Sequence, residues 1–74
     1  MGKLQNKIKE LRENNNLTQE QLAKKMGVSR QTIISIENGR YNPSLVLAYK
    51  LASAFGHSIE EVFDFSALNG EGGS

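Results

Sequence analysis

Gln31, Ser35 and Asn38 fall on one side of the stretch 30–38 if it is helical, because successive residues turn by roughly 100°. Ile33, Ile36 and Glu37 then share the opposite side. The polar side carries side chains able to recognise nucleic acid: an arginine such as Arg30 can fork onto guanine O6 and N7, and a glutamine amide onto adenine N6 and N7. Neutral amides such as Asn38 can fix register on a phosphate backbone. Taken alone, Gln31 and Ser35 read more simply as an ordinary solvated helix face, and Arg30 fits a surface cation near the glutamates.

Glu37 poses a different problem. A carboxylate on the apolar side of a helix is costly to bury unpaired, so a partner is required. The other candidates for chemistry are few. His57, the sole histidine, has no cysteine and no second histidine to complete a metal site and reads as a surface residue, so no metal or other cofactor is expected. The chain has no G-x-x-x-x-G-K-[ST] phosphate loop and no G-x-S-x-G elbow. Catalysis has no support, and no small-molecule substrate is evident.

The elements that must position these residues follow from spacing and caps. Leu4, Ile8 and Leu11 recur at the helical period and stop at Asn14-Asn15-Asn16, which predicts a first helix over 4–14. Thr18 and Gln21 have capping-box spacing, Leu22, Ala23 and Met26 share a face, and Gly27 tolerates a positive φ, so a second helix is expected over 19–26. Ser29 caps a third over 30–38, which ends at Asn38-Gly39. After Pro43, Ser44 caps a fourth over 45–55, stopped by Gly56. Ser58 and Glu61 form a second capping box, opening a short fifth helix. Val62 to Phe65 fit either its last turn or a brief strand, and the strand is the favoured reading. The fold class expected is all-α, a five-helix bundle open to extension by a small terminal β-sheet, with one domain over 1–66 and a flexible glycine-rich tail over 67–74.

Length and composition agree. With 74 residues, 38% hydrophobic, the chain suffices for one small domain and excludes a multidomain enzyme. Residues 1–50 hold nine basic and four acidic side chains, a balance of +5, whereas residues 51–74 carry −4. One end therefore attracts polyanions while the other repels them, and an ordinary mixed surface accounts for the charges equally well. There is no cysteine, which fits a reducing cytosol. The polar start MGKLQNKIKE lacks an apolar h-region, no membrane span is seen, and Asn6 breaks the myristoylation pattern begun by Gly2. A cytoplasmic, nucleoid-associated protein is expected.

Two short helices joined by Gly27-Val28-Ser29, the second exposing small polar side chains, form the arrangement of a helix-turn-helix. The run LTQEQLAKKMGVSRQTIISIENG over 17–39, followed by Arg40 and Pro43, resembles the Xre family, which includes the phage repressors and Cro proteins. The resemblance covers about residues 4–65, and the lead NKIKELRE with the ending EEVFDF is most similar to its short, stand-alone, dimeric members. It implies that Arg30, Gln31 and Ser35 read bases in the major groove, while Gln19, Asn38 and the loop Arg40, Tyr41 and Asn42 hold phosphates. It also implies that Arg12 pairs with Glu37 as a structural clamp between the first and third helices. Ile34 departs from the family pattern, in which a small polar residue is common there, and suits either a thymine methyl or the rim of the core.

The predicted fourth helix is apolar nearly all round. Leu45, Ala48, Ala52 and Phe55 make one stripe, and Leu47, Leu51 and Ala54 make a second that, with Val62, Phe63 and Phe65, is the expected dimer interface unless the fifth helix covers it. The function these readings imply is a regulator of transcription, most often a repressor, that binds a palindromic double-stranded DNA operator as a homodimer. The alternative is an adaptor or antitoxin-like module whose main surface binds another protein.

Overall fold

Four of the helices begin where a serine or threonine accepts a hydrogen bond from the backbone of the first turn, and these caps divide the chain into its elements. The computed structural model describes residues 5–66. Their order is β1 (Gln5–Asn6), α1 (Ile8–Asn14), α2 (Gln19–Met26), α3 (Arg30–Glu37), α4 (Leu45–Ala54), α5 (Ile59–Val62) and β2 (Phe63–Asp64). The expected tail over 67–74 and Leu4 lie outside the described residues.

Thr18 Oγ1 accepts from the Gln21 amide at 3.0 Å while Gln21 Oε1 accepts from the Thr18 amide at 2.8 Å, so the predicted capping box opens α2. Ser58 and Glu61 form a second such box at α5, whereas the Ser29 and Ser44 hydroxyls accept the Thr32 and Leu47 amides at the starts of α3 and α4 without a reciprocal bond. Gly27 ends α2 at φ 76°, a conformation in which a side chain would be strained, and Gly39 serves after α3 at φ 73°. Asn16, at φ 57°, turns the chain between α1 and α2, a role that asparagine tolerates better than most residues. Replacing Thr18 by Ala is expected to cost about 1 kcal/mol, read as a lower urea midpoint at unchanged slope, and an unchanged midpoint would show that the cap contributes nothing.

The first helix is shorter than its apolar period predicts. Gln5 and Asn6 pair antiparallel with Asp64 and Phe63, and the Lys7 amide donates to the Val62 carbonyl at 2.9 Å. This pairing draws the chain before Ile8 into a strand, and Asn6 Oδ1 then accepts the Ile8 amide at 3.1 Å. The favoured strand near the C-terminus is present over Phe63–Asp64, and Val62 closes α5.

The core is built from Ile8 of α1, Leu22 and Met26 of α2, Ile33 and Ile36 of α3, Leu51 and Ala52 of α4, Val62 of α5 and Phe63 of β2. Three residues expected at a dimer interface are therefore misplaced there. Leu51, Val62 and Phe63 are fully buried within a single chain, because α5 packs over α4 and β2 is held in place by β1. Leu47, Ala54 and Phe65 are half-buried against the same core. Leu45, which spacing places on one stripe with Ala48 and Ala52, is exposed: the buried side of α4 is formed by Ala48, Leu51 and Ala52, and Leu45 in the first turn lies outside it.

Candidate nucleic-acid interface

The side of α3 opposite Ile33 and Ile36 is open to solvent. Arg30, Gln31 and Asn38 are exposed, and Ile34 and Ser35 are half-buried at its edge. Ser29 starts this helix by accepting from the Thr32 amide at 3.1 Å and pairing its hydroxyl with that of Thr32 at 2.9 Å, which fixes where Arg30 and Gln31 emerge. At the other end the Ser35 carbonyl accepts the amides of Arg40 at 2.9 Å and Tyr41 at 3.3 Å. These two hydrogen bonds to one carbonyl fold the loop back on the helix, so exposed Arg40, Tyr41 and Asn42 gather beside Asn38.

Glu37 lies on the inner side of α3, and its side chain is 4% exposed. Its partner is Arg12 of α1, whose Nε donates to Glu37 Oε2 at 2.7 Å and whose Nη2 lies 3.4 Å from Oε1. Arg12 Nη1 donates to the Leu17 carbonyl at 2.8 Å, which ties in the loop before α2. The hydrogen bond that Arg12 donates to Glu37 raises the pKa of its guanidinium above the ordinary arginine value against the opposing effect of burial. Among the described residues, no buried side-chain nitrogen or oxygen lacks a hydrogen-bond partner.

Gln19 joins the same cluster. Its Nε2 donates to Glu37 Oε1 at 3.1 Å, so the first residue of α2 is held against α3 by the carboxylate that also binds α1. The structure thus brings Gln19 to Glu37 and sets Asn38, Arg40, Tyr41 and Asn42 around the end of the helix that carries Arg30, Gln31, Ile34 and Ser35. Residue types and spacing did not identify one further contributor: Asn6 Nδ2 donates to the Ile36 carbonyl at 2.8 Å, anchoring the end of α3 to β1. Its position in an expected helix concealed it.

Elsewhere, His57 Nδ1 lies 3.3 Å from Glu61 Oε1, an exposed pair at the start of α5. Among the described residues no three His, Cys, Asp or Glu are grouped to hold a metal ion, and no helix is long and apolar enough to cross a membrane. A polar helix side with two arginines near it can present hydrogen-bond donors and positive charge to an anionic groove. It offers no nucleophile paired with a base.

Comparison with known proteins matches residues 8–62 to the family described as Helix-turn-helix. An uncharacterized HTH-type transcriptional regulator of Methanocaldococcus jannaschii is 62% identical over 60 residues, covering 81% of this chain and 91% of that protein. The cryptic phage CTXphi transcriptional repressor RstR of Vibrio cholerae is 36% identical over 63 residues, covering 85% of this chain and 57% of the repressor. Among solved structures, the restriction-modification controller protein C.AhdI of Aeromonas hydrophila is similar at a TM-score of 0.66 and 38% identity, over 74% of this chain and 80% of that one.

Proposed function

Because the chain belongs to the Xre-type helix-turn-helix family, we propose that it is a repressor that occupies a palindromic operator as a homodimer. It is a transcriptional regulator with a helix-turn-helix DNA-binding domain, and not an enzyme. The observation that carries the finer reading is the arrangement around α3: an outward side bearing Arg30, Gln31 and Ser35, with Asn38 and the exposed loop Arg40–Asn42 folded back beside its end. In this reading Gln31 and Ser35 contact base edges and Arg30 reaches a base or a neighbouring phosphate. Ile34, half-buried beside them, meets a thymine methyl at the rim of the same surface.

The phosphate contacts fall to Gln19, Asn38, Arg40, Tyr41 and Asn42. Gln19 has one amide hydrogen committed to Glu37 and a second left to donate, at the N-terminus of α2 where helix polarity favours an anion. Arg12 and Glu37 act behind this surface as its clamp. The protein works in the cytoplasm, on nucleoid DNA.

Selection of bound duplexes from a random pool supplies the operator, and substitution then tests the roles. Gln31→Ala and Ser35→Ala are each expected to weaken operator binding by about 1–3 kcal/mol while random-duplex binding scarcely changes. Equal losses on both duplexes, measured at one salt concentration, would show that these two side chains do not read bases.

A further inference from the structure

We propose that Asn6 is a positioning residue for DNA recognition: its side-chain amide sets where the end of α3 lies, and with it the register of the base-reading side on the operator. The proposal rests on the reading of α3 given above and adds to it a residue of another element, β1. A side chain reads a base edge only when it is held within about 0.5 Å and 10–20° of its productive geometry. α3 is only eight residues long, so a tilt at its end shifts Ser35 and Asn38 against a groove that does not move with them.

The start of α3 is fixed locally, by Ser29 and the Thr32 amide, and its inner side by the Glu37 carboxylate bonded to Arg12 and Gln19. The bonds to Glu37 reach the helix through a side chain with rotatable bonds. Asn6 grips the helix backbone itself, its Nδ2 donating to the Ile36 carbonyl at 2.8 Å across 30 residues of sequence. The same carbonyl accepts the Gly39 amide at 2.9 Å, in the turn from which Arg40, Tyr41 and Asn42 leave. The carbonyl before it, that of Ser35, holds Arg40 and Tyr41. Two successive carbonyls of α3 therefore fix the loop against the helix and the helix against β1.

An anchor positions only if it is itself held. Asn6 Oδ1 accepts the Ile8 amide at 3.1 Å at the start of α1, and the Asn6 backbone pairs with that of Phe63, which is fully buried. The next amide, that of Lys7, donates to the Val62 carbonyl at 2.9 Å. One planar amide thus serves two helices, its oxygen towards α1 and its nitrogen towards α3. Aspartate has the same shape but only acceptors when ionised, and it would set an oxygen against the Ile36 carbonyl. Serine keeps an oxygen for the Ile8 amide and is too short to reach Ile36 as well.

Asn6→Asp and Asn6→Ser therefore keep the cap of α1 and remove the bond to α3. The measurement is the affinity for the selected operator divided by that for a random duplex of equal length, at one salt concentration and well below each variant's melting transition. Random duplex is held mainly by charge, which tolerates a small displacement of α3, whereas base contacts do not. The ratio also cancels the uniform effect of the charge that the Asp variant adds. Both variants are expected to lower it by about tenfold, the weight of one base contact. Ser58→Ala separates positioning from stability, because it removes the cap of α5 and leaves the Asn6 bond in place; its melting temperature should fall while its ratio stays within about twofold of the parent's. If the ratios of both folded Asn6 variants stay within about twofold of the parent's, Asn6 serves stability alone, the proposal is overturned and the reading of α3 stands. If the parent itself prefers no duplex from the random pool, both are overturned.

Discussion

Glu37→Ala is expected to lower the stability of the fold by about 3–5 kcal/mol, the range seen when one member of a buried ion pair is removed. The magnitude follows from what is left behind. Arg12, with its side chain 10% exposed, would keep its bond to the Leu17 carbonyl but lose its 2.7 Å partner, leaving Glu13, whose carboxylate is 3.9 Å away and more than half exposed. Gln19 Nε2 would lose its acceptor as well. A domain of 74 residues has roughly 4–11 kcal/mol of stability in total, so much of it is at stake. The melting temperature should fall by at least about 12 °C. Restoring apolar volume on both sides, in an Arg12→Met, Glu37→Leu double variant, should recover part of the loss, because no charge then stays buried alone. A melting curve for Glu37→Ala within a few degrees of the parent would show that the pair contributes little.

Phe63→Ala should be comparably severe, costing about 3–5 kcal/mol by leaving a cavity in the core. Phe63 is fully buried, its backbone pairs with Asn6, and its ring centroid lies 6.4 Å from that of Phe65. The loss should not depend on protein concentration, since the contacts are made within one chain. Denaturant unfolding at two concentrations a hundredfold apart checks this. A stability loss that vanishes at the lower concentration, accompanied by a fall in mass, would return Phe63 to an interface between copies.

On α4 the apolar spacing placed Leu51 on an interface, and the structure buries it in the core. The helix residues 45–54, LVLAYKLASA, include only one charged side chain, so the apolar pattern does not say which arc faces the core. That Glu37 needs a partner was legible from its place on the inner side of α3, whereas Arg12 as that partner came from the family resemblance, and Gln19 and Leu17, which complete the cluster, carried no signal.

The sequence by itself determined the starts of α2, α3, α4 and α5 and the turn between α2 and α3. Each rests on bonds between residues a few positions apart: Thr18 with Gln21, Ser29 with Thr32, Ser44 with Leu47, and Ser58 with Glu61. Gly27 and Gly39 act through their own φ, which needs no distant partner. The polar side of α3 was legible for the same reason, since helical spacing alone separates Gln31 and Ser35 from Ile33 and Ile36. Only the tertiary structure decided that residues 5–6 form a strand, that Asn6 holds the end of α3, and that Leu51, Val62 and Phe63 are core while Leu45, Val46 and Tyr49 are surface. Those outcomes depend on partners far along the chain: Asn6 is 30 residues from the carbonyl it binds. Local spacing carries no record of such meetings, because they arise from how the elements compete to cover one small core.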